Sequence, residues 1–236
     1  MHCLIAKRYF LYFNVTLLMI ITLLSGCQST ATMAVESTIS LQEFKVQGAN
    51  PYRWDAPLSF GQWQTQHTDS GTISAALPLW QVELRGHYQK RTLQLVNGTG
   101  GECRGMGVEL SYRGWSLDPT LGNLPILQCR YSGPTPFQFS LEADMWGRLN
   151  GSFSIEGVTY QIRSEHSYAG SPFTSPYPLG FHIIAQGNTV WSIETMNTGR
   201  ILVLQNLPVS HQNALAAVSF ALLLTDFEAM DATFDS

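Results

Sequence analysis

From Leu41 to Leu207 the chain alternates apolar and polar residues in short runs, punctuated by Gly, Asn, Pro and Ser. A period of two marks strands with one buried face. Leu79–Leu84 reads as one such strand, with Arg91–Val96 as its hairpin partner across Gly86. Leu149–Ile155 places Leu149, Phe153 and Ile155 on one face. Glu156-Gly157 supplies a tight turn, and Val158–Arg163 returns with Val158, Tyr160 and Ile162 on one face. Phe181–Ala185, Thr189–Thr195 and Arg200–Leu204 form a three-strand meander through turns at Gln186-Gly187-Asn188 and Asn197-Thr198-Gly199. A strand about every ten residues predicts a single barrel or sandwich. Ser164–Gly180, with Ser171-Pro172, Ser175-Pro176 and Tyr177-Pro178, predicts a long extended loop.

The period changes only near the carboxyl end. A helix is predicted over 211–230, with Ser210 as its N-cap after Pro208. Its centre, Ala214–Leu224, is apolar at every position except Ser219. A surface helix keeps a polar stripe, so an all-round apolar helix predicts burial on all sides. The segment is too short to cross a bilayer, which takes about 20 apolar residues. Asp226, Glu228 and Asp231 at its far end are expected to reach solvent.

The run from Phe181 through Arg200-Ile201-Leu202 into Ala214–Leu224 resembles the tubby-like barrel of tubby C-terminal domains, LURP-one proteins and phospholipid scramblases. The resemblance implies a mainly β fold, an antiparallel barrel of twelve strands around a buried hydrophobic C-terminal helix. Ala214, Ala216, Ala217, Ser219 and Ala221 supply the small residues a close wall requires. The alternative is a β-sandwich with the helix packed on one face.

The amino-terminal residues set an address. Lys7 and Arg8 precede an apolar run from Tyr9 to Leu24, followed by Ser25 and Gly26, in the order of a secretory signal. Leu24-Ser25-Gly26-Cys27 resembles the bacterial lipobox. That resemblance implies removal of residues 1–26, acylation of Cys27 and a membrane anchor through it. Gln28 after the cysteine, by the sorting rule of such lipoproteins, implies the outer membrane with the domain facing the periplasm. Residues 27–39 are expected to be a lipidated cysteine and flexible tether, and residues 40–236 a single β-rich domain.

Composition narrows the partners. The net charge is −4, from 13 Lys+Arg against 17 Asp+Glu, and no basic run appears. Nucleic acid is therefore not an expected partner, because phosphate neutralisation needs clustered cations. An envelope protein, a lipid or a glycan remains open. Cys3 leaves with the signal and Cys27 takes lipid, so Cys103 and Cys129 are expected to form a disulfide in an oxidising compartment.

Motifs for chemistry are sparse. GxSxG, SxxK, HExxH, GxGxxG and GxxxxGK[ST] do not occur, so no enzyme, cofactor or metal centre is expected. His67, His87, His166, His182 and His211 form no ligand pair in sequence, and each reads as a surface or hydrogen-bonded histidine. Glu165-His166 beside the Pro-rich loop is the least bland pair. The turn Glu194–Arg200 is richer in polar residues than a hairpin needs, making Glu194, Asn197 and Arg200 ligand candidates, with a Glu194–Arg200 ion pair as the structural alternative. The six tryptophans suit core packing, with sugar stacking or lipid contact as the rival use. Asn97-Gly98 and Asn150-Gly151 both read as hairpin turns. The expected role is non-enzymatic binding or scaffolding. The alternatives are a lipid- or glycan-binding module near Ser164–Gly180, and an envelope hydrolase with an unfamiliar site.

Overall fold

A computed structural model describes residues 31–35, 40–48, 57–79, 82–112, 115–117, 125–144 and 146–227. The expected signal, Cys27, Glu228 and Asp231 lie outside these residues. The chain divides into two units, 1–31 and 32–236, and the second carries the fold.

Among the described residues thirteen strands and one helix follow in order. They are β1 (Gln42–Lys45), β2 (Ser59–Phe60), β3 (Trp63–Leu79), β4 (Val82–Leu95), β5 (Gly100–Tyr112), β6 (Trp115–Leu117) and β7 (Pro125–Ser132). Then come β8 (Phe137–Ala143), β9 (Leu149–Ile155), β10 (Val158–Glu165), β11 (Gly180–Ala185), β12 (Asn188–Glu194), β13 (Arg200–Val203) and α1 (Val209–Leu224). Twelve strands run in the order β1-β13-β12-β11-β10-β9-β8-β7-β5-β4-β3-β2, while β6 pairs only with β5. Every pairing is antiparallel.

The two ends of this path meet. Gln47, just beyond β1, exchanges both backbone hydrogen bonds with Ser59 of β2, at 2.8 and 3.0 Å. A barrel nearly closed by that bridge leaves little free edge.

Helix α1 fills the barrel. Ala214–Leu222 are nine consecutive residues, each at most 2% exposed. At 100° per residue, nine positions sweep the helix circumference more than twice, so no side of it meets water. Polar anchors reach it from well-separated strands. Trp63 on β3 donates to Asn213 at 3.0 Å, and Tyr131 on β7 donates to the Ala217 carbonyl at 2.9 Å. Trp191 on β12 donates to Ser219 Oγ at 2.8 Å, and Tyr160 on β10 meets His211 Nδ1 at 2.6 Å. Contacts from β3, β7, β10 and β12 surround the helix, which rules out the sandwich alternative. The wall lines the interior with Phe60, Phe137, Phe153, Phe181 and Ile193, and the small helix residues accommodate these large side chains. Gly101 serves the same packing: a Cβ there would collide with the Tyr131 ring.

The disulfide joins Cys103 of β5 to Cys129 of β7, directly opposite one another and buried in the wall.

Several expectations are corrected. The helix begins at Val209, because Pro208 in an extended conformation holds the cap position. Ser210 therefore lies inside the helix, and its hydroxyl donates to Glu156. The helix ends at Leu224, where Thr225 turns extended and bonds back to Leu222 and Ala221. Asp226 is only partly exposed, and its carbonyl accepts from Gln89 of β4. Gly86 lies within β4 opposite Ala75 and Val108, so the expected hairpin across Gly86 does not form. The unbroken alternation Val82-Leu84-Gly86-Tyr88 explains this, since one glycine does not interrupt a ladder paired on both sides. Asn150-Gly151 is also in strand, opposite Glu142 and Leu141 of β8. Trp146 is 78% exposed, unlike the buried Trp63 and Trp191. Residues 115–117 form β6.

The expected tether is also partly folded. Met33 is 1% exposed and bridges Tyr168 of the Pro-rich loop. Gly180 makes the room, since a Cβ there would strike the Met33 sulfur.

The long strands β3, β4 and β5 continue past the ring. β7 pairs with β5 only over Gly100–Gly105, and β2 pairs with β3 only at Trp63 and Gln64. Beyond them extends a blade about 25 Å long at the usual rise of a strand. Register pairs Ile73 with Tyr88 and Tyr88 with Met106, Leu77 with Leu84 and Leu84 with Leu110, and Leu79 with Val82 and Val82 with Tyr112.

Candidate functional site

Three of the sequence-selected residues, Glu165, Glu194 and Arg200, fall in one row across β10 to β13. Register places Glu165 opposite Gly180, Gly180 opposite Glu194, and Glu194 opposite Arg200. One row thus crosses four strands. The next row sets His182 opposite Ser192.

Glu165 closes the end of β10. Its Oε1 accepts the backbone N–H groups of His166 and Ser167 at 2.9 and 2.7 Å. Its Oε2 lies 3.5 Å from His182 Nε2. Burial pushes this carboxyl up, but the donors of Ser167 and His166 and the nearby His182 outweigh it and hold it below the usual carboxylate range. His182 Nδ1 meets Ser192 Oγ at 2.9 Å.

Ser192, His182 and Glu165 are the residue types of a nucleophile relay. Ser192 is 0% exposed, however, so no substrate carbonyl reaches its oxygen. The row instead ties β10, β11 and β12 together under the loop. Ser192 escaped the sequence reading, and His182 was read there only as a surface or hydrogen-bonded histidine, because only register shows that these positions are neighbours.

Arg200 is the hub of the second cluster. Its Nη2 lies 2.7 Å from Glu194 Oε2, and its Nε donates to the same oxygen at 2.9 Å. Its Nη1 lies 3.4 Å from Glu43 of β1. The Glu194 carboxylate is nearly buried, so Arg200 neutralises a charge that water does not reach. This is the cross-hairpin ion pair. Asn197 sits in the turn with φ 56°, a conformation asparagine tolerates better than most residues. His166 points into the loop, with Nε2 2.9 Å from Ser164 Oγ and Nδ1 3.0 Å from the Ser175 carbonyl. It pins the loop and does not join Glu194 or Arg200.

Two polar networks cap the helix. At its start, Tyr160 donating to His211 Nδ1 leaves Nε2 as the donor to Glu156, 3.3 Å away. At its far end Arg91, 9% exposed, lies near Asp226. Burial pulls the Arg91 pKa below its ordinary value, and attraction to Asp226 opposes that pull.

Two shallow grooves mark the outer surface. One, about 400 Å³, lies across β8, β9 and β10 between Glu142, Asn150 and Arg163. The other, about 380 Å³, lies at the barrel mouth, where Gln42, Gln62, Gln205 and Gln212 surround Phe44 and Trp63. Among the described residues no three His, Cys, Asp or Glu side chains form a metal-binding group, and no helix is long and apolar enough to cross a membrane.

No family model matches the chain, and no curated protein or solved structure matches it.

Proposed function

We propose that this chain is a lipid-anchored envelope protein with a non-enzymatic binding or scaffolding role at the periplasmic face of the outer membrane. The filled barrel carries the reading of the domain. Ala214–Leu222 occupy the interior and the two grooves described above lie on the outside, so this reading places recognition on the outer surface. The long paired strands β3, β4 and β5, which continue beyond their neighbours β2 and β7, offer the scaffold reading its outer surface. The Leu24–Cys27 motif and the segment before it support the anchor. The ring of twelve strands around one apolar helix supports the tubby-like resemblance, which adds lipid recognition only by analogy.

The test joins two measurements. Intact mass of membrane-extracted protein should show a chain beginning at Cys27 with acyl chains, and Cys27→Ser should leave the membrane fraction. A photo-crosslinking residue at Leu84 or Leu110 should give one discrete adduct in cells, while the same residue at Val96 gives none. Normal membrane retention of Cys27→Ser would defeat the anchor, and identical adducts at all three positions would defeat the scaffold.

A second reading rests on the mouth groove. Four glutamine amides around two aromatic rings, with no charge among the lining residues, suit an uncharged glycan. Saturation-transfer NMR with a chitin oligosaccharide would show contacts that Gln42→Ala removes.

A further inference from the structure

We infer that Arg91, Gln89 and Thr68 form a buried receptor for a phosphate group that keeps a proton, covered in this structure by the residues Thr225–Phe227 that follow α1.

The inward face of β4 carries the first observation. Gln89, Arg91, Leu93 and Leu95 are buried, while Lys90, Thr92 and Gln94 between them are exposed. Leu93 and Leu95 belong to the core, but the next two buried positions hold a cation and an amide, 9% and 5% exposed. Thr68 of β3 lies opposite Leu93, diagonal to Arg91. Such diagonal neighbours stand about 7–8 Å apart, within reach of a long side chain.

The second observation is a set of idle atoms. Arg91 Nε, Gln89 Oε1 and Thr68 Oγ1 are buried without a hydrogen-bond partner. Buried polar atoms are nearly always partnered, so three orphans on two adjacent strands point to a partner from outside the fold. A cation near the carboxyl end of α1 suits the helix dipole. That accounts for the charge of Arg91, but not for its idle Nε or for the two oxygens.

The chemistry of these atoms selects the ligand. Arg91 Nε offers an N–H to an anion. Gln89 Nε2 donates to the Asp226 carbonyl at 3.4 Å, which fixes the amide and leaves Oε1 only as an acceptor. Thr68 Oγ1 donates or accepts. The ligand must therefore accept from Arg91 and donate to Gln89. A phosphate carrying P–O–H does both. Sulfate and phosphodiesters hold no proton near neutral pH and fail at Gln89.

The third observation is the cover. α1 ends at Leu224, and the chain then turns extended at Thr225. Asp226 lies near enough to attract the Arg91 charge, and the Phe227 ring rests against Phe181 with centroids 5.1 Å apart. Asp226 is a resident carboxylate that an incoming phosphate displaces, gaining the direct bond to Arg91 Nε that is idle in the covered form.

The phosphate comes free, on a small phosphomonoester or on a lipid such as phosphatidic acid. The experiment titrates the full chain in detergent at pH 7 with inorganic phosphate, glycerol 3-phosphate and sulfate by calorimetry, and floats it with phosphatidylcholine vesicles with and without phosphatidic acid. The expected result is saturable binding of a phosphate form, with sulfate weaker by about tenfold or more. Thr68→Val and Arg91→Met should weaken phosphate by about tenfold, and Asp226→Asn should tighten it by removing the competing carboxylate. Asp226→Asn carries the test where Arg91→Met does not fold. Soluble phosphates binding assigns a free source, and flotation alone assigns a lipid. Equal binding of phosphate and sulfate, unchanged by Thr68→Val and Asp226→Asn, is an adventitious ion only and overturns the receptor. Absence of binding to every phosphate form, in wild type and Asp226→Asn alike, overturns it as well.

Discussion

Leu215, Ala216, Ala217 and Val218 point in four directions about 100° apart, and each is 0% exposed. If the wall surrounds α1, all four positions are intolerant. Leu215→Ala removes a buried branched side chain and should cost about 2–5 kcal/mol, depending on how far the wall relaxes. Val218→Ala removes less and should cost about 2 kcal/mol. Ala216→Leu and Ala217→Leu force extra volume into a close-packed interior, at about 1–3 kcal/mol each. A domain of this size loses roughly 2–4 °C of Tm per kcal/mol, so Leu215→Ala should melt about 4–20 °C early. Urea melts of the purified protein with the disulfide intact supply the assay. One position of the four changing stability by less than about 0.5 kcal/mol would refute enclosure, because surface substitutions fall in that range.

Four further outcomes follow from the same contacts. Replacing Cys103 and Cys129 by Ala should cost about 3.5 kcal/mol in urea melts, by loop entropy over their separation of 26 residues. Glu165 has a depressed native pKa, so its stabilisation is complete above the ordinary carboxylate value and is lost as pH falls through the depressed one; an acid titration of Glu165→Gln should therefore show a shallower loss of stability than wild type. Arg200→Met leaves the Glu194 carboxylate nearly buried without its cation, and a cost on the order of 2 kcal/mol should appear in thermal melts. Tyr131→Phe keeps the ring stack on Phe137 but removes the donor to Ala217, for about 1 kcal/mol by urea melt.

Local periodicity carried much of the fold. Leu149–Ile155, Val158–Arg163 and the meander from Phe181 were legible because their turns need special backbone. Glu156, Gln186 and Asn197 all adopt positive φ, the first two directly before a turn glycine and Asn197 two residues before Gly199. The all-round apolar helix was legible because Ala214–Leu224 leaves no polar stripe. The blade was not, because Gly86 reads as a turn when pairing partners are unknown. Met33 was not, because one methionine in a small polar stretch gives no period, and only Gly180 opposite it creates its socket.

The candidate site was legible residue by residue but not as a set. Glu194 and Arg200 pair across a short hairpin, so local spacing reveals them. Glu165 and Ser192 are 27 positions apart in sequence and meet only through His182 between them. Their joint role depends on strand register, which one sequence does not print.

The central claim is that the wall of strands encloses α1 on every side, so that recognition belongs to the outer surface. Native-state hydrogen exchange of the backbone amides from Val218 to Leu222 tests it most directly. The account predicts that all five exchange only through global unfolding, with the same free energy and urea dependence as the whole domain. Exchange of some of them through local opening, recurring along the helix with its 3.6-residue period, would contradict it.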